Sequence, residues 1–361
     1  MKRFEQPTKS SVTQPLHTTT TTTTHPLGQS TSRRTGMLVP LLITGVALLV
    51  SAILVLTSTG LNTILPSSFF SKAHSISPST GTRLPIMSNQ VVGHVFFLSS
   101  GQIHQDTSQG IADEIQLDLN NIASSAPGKS YYAWLLSDDP VEGKPFLLGQ
   151  LHVVHGTVHL LYTGDVQHTN LLEIADQVLI TEEDAAITPS VPSPDSSTWK
   201  YAAHIPLTPN AADSTHHFSL LSHLRHLLAS DPTLKSFGLP GGLDIWLFRN
   251  TQKILEWAGS ARDDWAQKNT GLMHRQFIRI LDYLDGLSCV QTDVPANTPV
   301  LTDPTIAKVG MLEFDVQHQE PPGYVYHIGL HLHGLIQAPG ANADQIRLAS
   351  AIDRALNTVQ T

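Results

Sequence analysis

The chain has 361 residues, of which 40% are hydrophobic and 14% are charged. This hydrophobic content excludes a wholly disordered chain, and the net charge of -9 argues against a general nucleic-acid binder. The single cysteine, Cys289, excludes a disulfide framework, a thiolate zinc site and an iron–sulfur cluster.

The N-terminal part of the chain divides into two segments. Residues 1–36 are polar and of low complexity, and they are predicted to stay disordered because they have no apolar face to bury. Residues 37–56 contain no charge over 20 positions, which is enough for a transmembrane helix. The alternatives are a cleaved signal peptide and a buried core helix. The apolar run is longer than that of a typical signal peptide, and it lacks the polar face of a soluble helix.

Flanking charge predicts the orientation of this span. Arg33 and Arg34 lie directly before it, whereas the next basic residues after it are distant. The positive-inside rule therefore places the N-terminus in the cytoplasm and residues 57–361 outside. We expect a single-pass cell-membrane protein that contacts the lipid bilayer through residues 37–56.

The next part of the chain has the pattern of short strands. Residues 57–88 are rich in Ser, Thr and Pro and are predicted to form a stalk. After them, short apolar runs alternate with turn signals, as in a half-buried sheet. Seven such runs fit a sandwich or a barrel, and residues 89–209 are predicted to form an all-β, sandwich-like domain. The runs are Val91–Leu98, Glu114–Leu119, Tyr131–Leu136, Phe146–Val154, Thr157–Tyr162, Gln177–Thr181 and Trp199–Leu207.

The apolar period changes to that of helices in residues 211–361, which predicts an α-helical bundle domain. The longest stripe predicts a helix over about 242–265. The residues of that stripe expected to face the core include Trp246, Ile254, Trp257 and Trp265. The segment Tyr324–Gly334 alternates like a strand but also has a helical apolar face, and its helical surroundings favour a helix. Other helices are predicted over 218–229, 272–287 and 343–358.

Two segments of the β half carry a resemblance to a known family. In YYAWLLSDDPVEGKPFLLGQL (Tyr131 to Leu151), an aromatic-Trp-Leu strand leads through a Gly/Pro turn to Leu-Gly-Gln-Leu. In ADQVLITEEDAAITPSVPSP (Ala175 to Pro194), a Val-Leu-Ile-Thr-Glu strand meets a small-residue turn and a Thr-Pro tail. With these segments, residues 131–207 resemble the extracytoplasmic C-terminal domain of bacterial anti-sigma-K factors.

The resemblance implies a β-sandwich outside the membrane. Where the family usually has a paired glycine in the second segment, this chain has Ala185 and Ala186. Family members also place a zinc-binding anti-sigma domain, with His and Cys ligands, before the membrane span. Residues 1–36 contain no cysteine and too few apolar residues to fold. The resemblance therefore does not carry the sigma-binding activity over to this chain.

Histidine is unusually frequent, with 19 copies. In the helical half, His223 and His226 are three residues apart, and His327 and His331 are four residues apart. If both segments are helices, each pair lies on one face and offers two imidazoles to a divalent metal. The alternative is that these are solvated histidines at the edge of an apolar stripe.

Common catalytic signatures are missing: the sequence has no Gly-x-Ser-x-Gly elbow, no His-Glu-x-x-His, no Walker A loop and no Gly-x-Gly-x-x-Gly. The leading hypothesis is a non-enzymatic, membrane-anchored protein that senses or binds an unidentified protein or small ligand outside the membrane. It includes no cofactor and no nucleic-acid partner. The runner-up is a metal-binding module or metal-dependent enzyme that uses the helical histidines. A third hypothesis is a structural envelope protein that holds partners together.

Overall fold

The computed structural model describes residues 59–60, 90–138, 143–295, 298–299, 301–312 and 322–360. In these ranges the chain forms two four-stranded antiparallel sheets and eight α-helices. The strands are β1 (Thr59–Gly60), β2 (Gly93–Leu98), β3 (Glu114–Leu119), β4 (Lys129–Leu136), β5 (Phe146–Leu151), β6 (Val158–Tyr162), β7 (Gln177–Asp184) and β8 (Trp199–His204). The helices are α1 (Leu171–Ile174), α2 (Leu220–Leu228), α3 (Pro232–Ser236), α4 (Leu243–Ala266), α5 (Thr270–Asp285), α6 (Leu287–Asp293), α7 (Tyr324–Gln337) and α8 (Ala343–Gln360).

The first sheet has the strand order β1-β2-β3-β6, and the second has the order β5-β4-β7-β8. In β3 the alternate residues Ile115, Leu117 and Leu119 are buried, as their alternation with polar residues predicts. Inward-facing residues of both sheets belong to one hydrophobic core, as in a sandwich. A β half followed by a helical half is thus confirmed. The division into two domains, 89–209 and 211–361, stays a prediction.

Side-chain caps set where three helices of the second half begin. Ser219 caps α2, Asp231 caps α3 and Asn269 caps α5, each accepting a hydrogen bond from a backbone N–H of the first turn. The segment with mixed strand and helix character, Tyr324–Gly334, is helical and forms most of α7. The preference for a helix there is confirmed.

The longest of the described helices, α4, has 24 residues and packs on the core over only part of its length. Trp246 is fully buried, Ile254 and Trp257 are partly buried, and Trp265 is 66% exposed. The expectation that the whole stripe faces the core is therefore wrong at the C-terminal end. The helix is about 36 Å long, and its C-terminal end extends beyond the core.

The structure corrects the prediction of a single-pass membrane protein. None of the helices in the described ranges is long and apolar enough to cross a membrane. The two longest of them, α4 and α8, carry charged side chains along their length, such as Arg249 and Lys253 in α4. The transmembrane helix of the predicted fold class, the single-pass topology and the cell-membrane localisation are therefore withdrawn. The proposed span, 37–56, lies outside the described residues, as do the predicted tail and nearly all of the stalk.

The two halves share the main hydrophobic core, and a charged residue fixes α2 against the β half. The Arg225 guanidinium donates two hydrogen bonds of 2.8 Å to the carboxylate of Asp138, two residues beyond the end of β4. Its Nε donates another, of 2.9 Å, to the carbonyl of Leu172 in α1. With Arg225 directed to the sheets, His223 and His226 of the same helix face α7.

Candidate metal centre

The four histidines that the sequence offers as candidate metal ligands lie together in the structure. His223 and His226 project from α2, His327 and His331 project from α7, and these two helices pack against each other. Each of the four residues is at most 9% exposed. They are therefore not solvated histidines at the edge of an apolar stripe. Their binding of a metal stays a prediction.

A carboxylate that the sequence analysis did not assign to the site lies among these imidazoles. Asp231 is 1% exposed. Its Oδ1 caps α3 by accepting a hydrogen bond from the N–H of Leu234. Its Oδ2 lies 3.7 Å from Nδ1 of His226, 3.8 Å from Nε2 of His327 and 3.8 Å from Nε2 of His331. We call these residues, together with His223, the His/Asp cluster.

The spacing of these atoms suits a metal ion. The ligand atoms of His226, Asp231 and His331 all lie within 4.8 Å of one another, and Nε2 of His327 lies 3.3 Å from Nε2 of His331. Ligand atoms bound tetrahedrally to zinc, at about 2.0–2.1 Å from the ion, are about 3.4 Å apart. Four of the separations, at 3.3–3.8 Å, are close to that value, and the others among His226, Asp231 and His331 are at most 4.8 Å. Imidazole nitrogens with one carboxylate oxygen form a donor set that zinc and similar divalent metals accept.

His223 has a different position from the other three histidines. Its Nδ1 lies 3.1 Å from Nδ1 of His331. The other ring nitrogen of His331, Nε2, faces Asp231. If Nε2 of His331 binds a metal, the proton of that ring lies on Nδ1 and is donated to Nδ1 of His223. Histidines that bind metals commonly have their second nitrogen hydrogen-bonded in this way, which fixes the orientation and the tautomer of the ring. His223 is therefore placed to orient His331.

A glycine in α7 makes room for the ring of His223. A Cβ added at Gly334 would lie 2.2 Å from Cε1 and 2.4 Å from Nε2 of that ring, far inside van der Waals contact. At Gly329, in the same helix, an added Cβ would meet only Oδ1 of Asp353, at 3.8 Å. Gly334 is therefore required by the close approach of His223 to α7.

Burial keeps the imidazoles in the neutral form that binds metals. Burial and, after it, the neighbouring His226 lower the pKa of His223 to about 4. Burial also lowers the pKa of His226 and of His327, while the carboxylate of Asp231 opposes that shift. For His331, burial and then the surrounding imidazoles lower the pKa. At neutral pH each ring is therefore neutral and has one nitrogen with an available lone pair.

Two buried polar atoms of this region have no hydrogen-bond partner among the described residues: Nδ1 of His226 and Oη of Tyr324. Tyr324 begins α7 and lies three residues before His327, close enough to Asp231 that this carboxylate adds to the rise in its pKa caused by burial. Buried polar atoms nearly always have a partner, and leaving one without costs about 1–3 kcal/mol. A ligand within the cluster would give these two atoms a partner.

No family model, curated protein or solved structure matches this chain. The resemblance of residues 131–207 to anti-sigma-K factors stays a prediction. The candidate centre therefore rests on its own geometry.

Asp231 and Tyr324 are the members of this region that the sequence analysis missed. The dipeptide Asp231–Pro232 is typical of the stop after a helix, here the one predicted over 218–229. The same dipeptide is typical of a helix that begins, with Asp as the cap and Pro in the first turn. That signal predicts α3 and places a carboxylate just beyond His226.

Proposed function

We propose that this protein binds a divalent transition metal, with zinc as the best match, through His226, Asp231, His327 and His331. The observation that carries the proposal is that one buried carboxylate oxygen faces three imidazole nitrogens at 3.7–3.8 Å. Hydrogen bonds between such groups are about 2.7–2.9 Å long. The arrangement is thus too wide for direct hydrogen bonds and has the spacing of ligands around an ion.

The proposed metal joins three helices, because its ligands come from α2, from the cap of α3 and from α7. Four protein ligands complete a tetrahedral shell, whereas catalytic zinc sites keep one position open for water or substrate. We therefore propose a binding protein in which the metal stabilises the helical half, and we do not propose a metal-dependent enzyme. Since the ligands converge only in the folded chain, metal binding adds to folding stability.

The test is metal binding to the purified full chain. We expect one Zn²⁺ per chain after equilibration and dialysis, and, with Co²⁺, the strong visible absorption of a tetrahedral site. His226→Ala and His331→Ala each remove a proposed ligand, so each should abolish the absorption and the bound zinc. Circular dichroism of each variant checks that the fold is retained.

The matched controls are His159→Ala and His168→Ala, which remove histidines that face carboxylates in the β half. These variants should keep the bound zinc and the cobalt spectrum. Absence of bound metal in the unmodified chain contradicts the proposal, and so does equal loss in both sets of variants.

A further inference from the structure

The loop between β8 and α2 lies over the His/Asp cluster, and one carboxylate organises it. Oδ1 of Asp213 accepts hydrogen bonds from the backbone N–H groups of Thr215 (3.3 Å) and His216 (2.9 Å), and Oδ2 accepts one from Phe218 (3.0 Å). These bonds hold the pKa of Asp213 well below its ordinary value. The loop therefore has a defined conformation, and the side chain of Asp213 is negatively charged at neutral pH.

Phe218, in this loop, touches both the buried cluster and an exposed imidazole. Its half-buried ring makes edge contacts with His226, at 4.7 Å between centroids, and with His223, at 5.5 Å, and it lies 5.7 Å from the ring of His331. His216 stacks on Phe218 at 5.1 Å, and the His216 side chain is 63% exposed. The phenyl ring thus separates a solvent-exposed histidine from three buried ones.

A buried metal site needs a route by which the ion arrives. The ring of Phe218 covers His226, which is nine-tenths buried and whose Nδ1 has no hydrogen-bond partner in the described part of the chain. On the solvent side, Nδ1 of His216 lies 3.6 Å from Oδ1 of Asp213, so an imidazole and a carboxylate are available to a passing cation. Phe218 is in ring contact with both positions.

We propose that Phe218 is the gate of the metal centre and that His216 with Asp213 is the outer position at which a divalent cation first binds. This inference rests on the proposed metal-binding function and adds the route of loading. The cation exchanges water for His216 and Asp213, the Phe218 ring moves aside, and the ion passes to His226 and its neighbours. No covalent bond within the protein is made or broken.

The test is stopped-flow measurement of Co²⁺ binding to the full chain, followed by chelator-driven release. Phe218→Ala removes the cover, so we expect association and release both to accelerate about tenfold while the equilibrium Kd stays within about threefold. Phe218→Leu keeps more of the cover and should give a smaller acceleration in the same direction, which provides a second variant if the alanine variant does not fold.

The outer position is tested separately from the gate. His216→Ala should slow association about fivefold without changing the equilibrium Kd, because it removes a group outside the final site. The control, His217→Asn, changes the neighbouring histidine and keeps a residue that tolerates its positive φ of 54°. It should leave the rates unchanged.

Failure of the unmodified chain to bind metal overturns the proposed function and this inference together. Binding that is intact at equilibrium, with rates that do not respond to either Phe218 variant, overturns the gate alone. An effect of His217→Asn equal to that of His216→Ala overturns the outer position.

Discussion

Histidines face carboxylates in both halves of this molecule, but at different distances. In the β half, His159 lies 2.6 Å from Asp118 and His168 lies 2.9 Å from Asp113, so each imidazole has its own carboxylate at hydrogen-bond distance. In the helical half, three imidazoles share one oxygen of Asp231 at 3.7–3.8 Å. The first arrangement satisfies its polar groups without a ligand, and the second does not. Distance therefore separates a structural pair from a candidate metal centre.

The largest expected effect is the response of folding stability to zinc. A ligand that binds only the folded state at about 1,000 times its Kd raises the free energy of unfolding by about 4 kcal/mol. Asp231→Asn keeps an amide oxygen for the cap of α3 but removes the anionic ligand, so this gain should disappear. Urea denaturation with zinc and with EDTA measures it. An equal gain in Asp231→Asn and in the unmodified chain would show that the stabilisation by zinc does not depend on this carboxylate.

A further carboxylate of the β half, Asp176, sharpens the comparison because, unlike Asp113 and Asp118, it is not paired with a histidine. Neither of its side-chain oxygens has a hydrogen-bond partner in the described ranges. Burial and, after it, the nearby charge of Asp138 raise its pKa from 3.8 to about 7. A folded-state pKa above the unfolded value means that ionisation destabilises the fold as the pH rises from about 4 to 7.

Asp176→Asn removes this ionisation. The stability of the variant relative to the unmodified chain should therefore increase by about 3 kcal/mol between pH 4 and pH 8. Urea denaturation at the two pH values, in EDTA, measures the difference. A constant offset at both pH values would show that the carboxylate ionises equally well in the folded and unfolded chains.

The packing of His223 against α7 is tested by two glycines of that helix. Gly334→Ala places a methyl group against the ring of His223 and should cost about 2 kcal/mol in stability and weaken metal binding. Gly329→Ala has room for the methyl group and should stabilise the helix by up to about 1 kcal/mol. Thermal denaturation should give opposite signs. The same sign for both variants would mean that His223 does not lie against α7.

The smallest effect is expected for Asp113→Asn in the β half. Asp113 accepts hydrogen bonds from the N–H and the hydroxyl of Ser100 and faces Nδ1 of His168. An amide can keep the first bond, while the hydroxyl and the imidazole can act as acceptors. We expect a loss of about 1 kcal/mol and no change in zinc affinity, measured by denaturation and by metal titration. Reduced zinc affinity would show that the pair of Asp113 and His168 is not purely structural.

Much of the fold is predictable from local pattern. The alternation in Glu114–Leu119 predicts β3 with the bounds that it has, because burying one face of a sheet requires a period of two. The same reasoning predicts the strands that follow to within a few residues and most of the helices. It misjudges the end of α4, since an apolar stripe such as that ending at Trp265 does not specify how far the core extends.

The site is predictable only in its parts. Spacings of three and four residues predict that His223 and His226 share a face, and that His327 and His331 do. That the two pairs meet, about 100 residues apart in the chain, depends on the packing of α2 on α7, which no periodicity specifies. Asp231 joins them because the chain turns directly into α3, so that one residue both caps a helix and faces the imidazoles.

The contact between Gly334 and His223 has a consequence for how this sequence can change over time. A side chain larger than hydrogen at position 334 is compatible with the present backbone only if the ring of His223 moves aside or position 223 becomes smaller than histidine. The two positions are therefore expected to vary together among descendants of this chain. Replacing the histidine first avoids the clash, but the orienting partner of His331 is lost at that step.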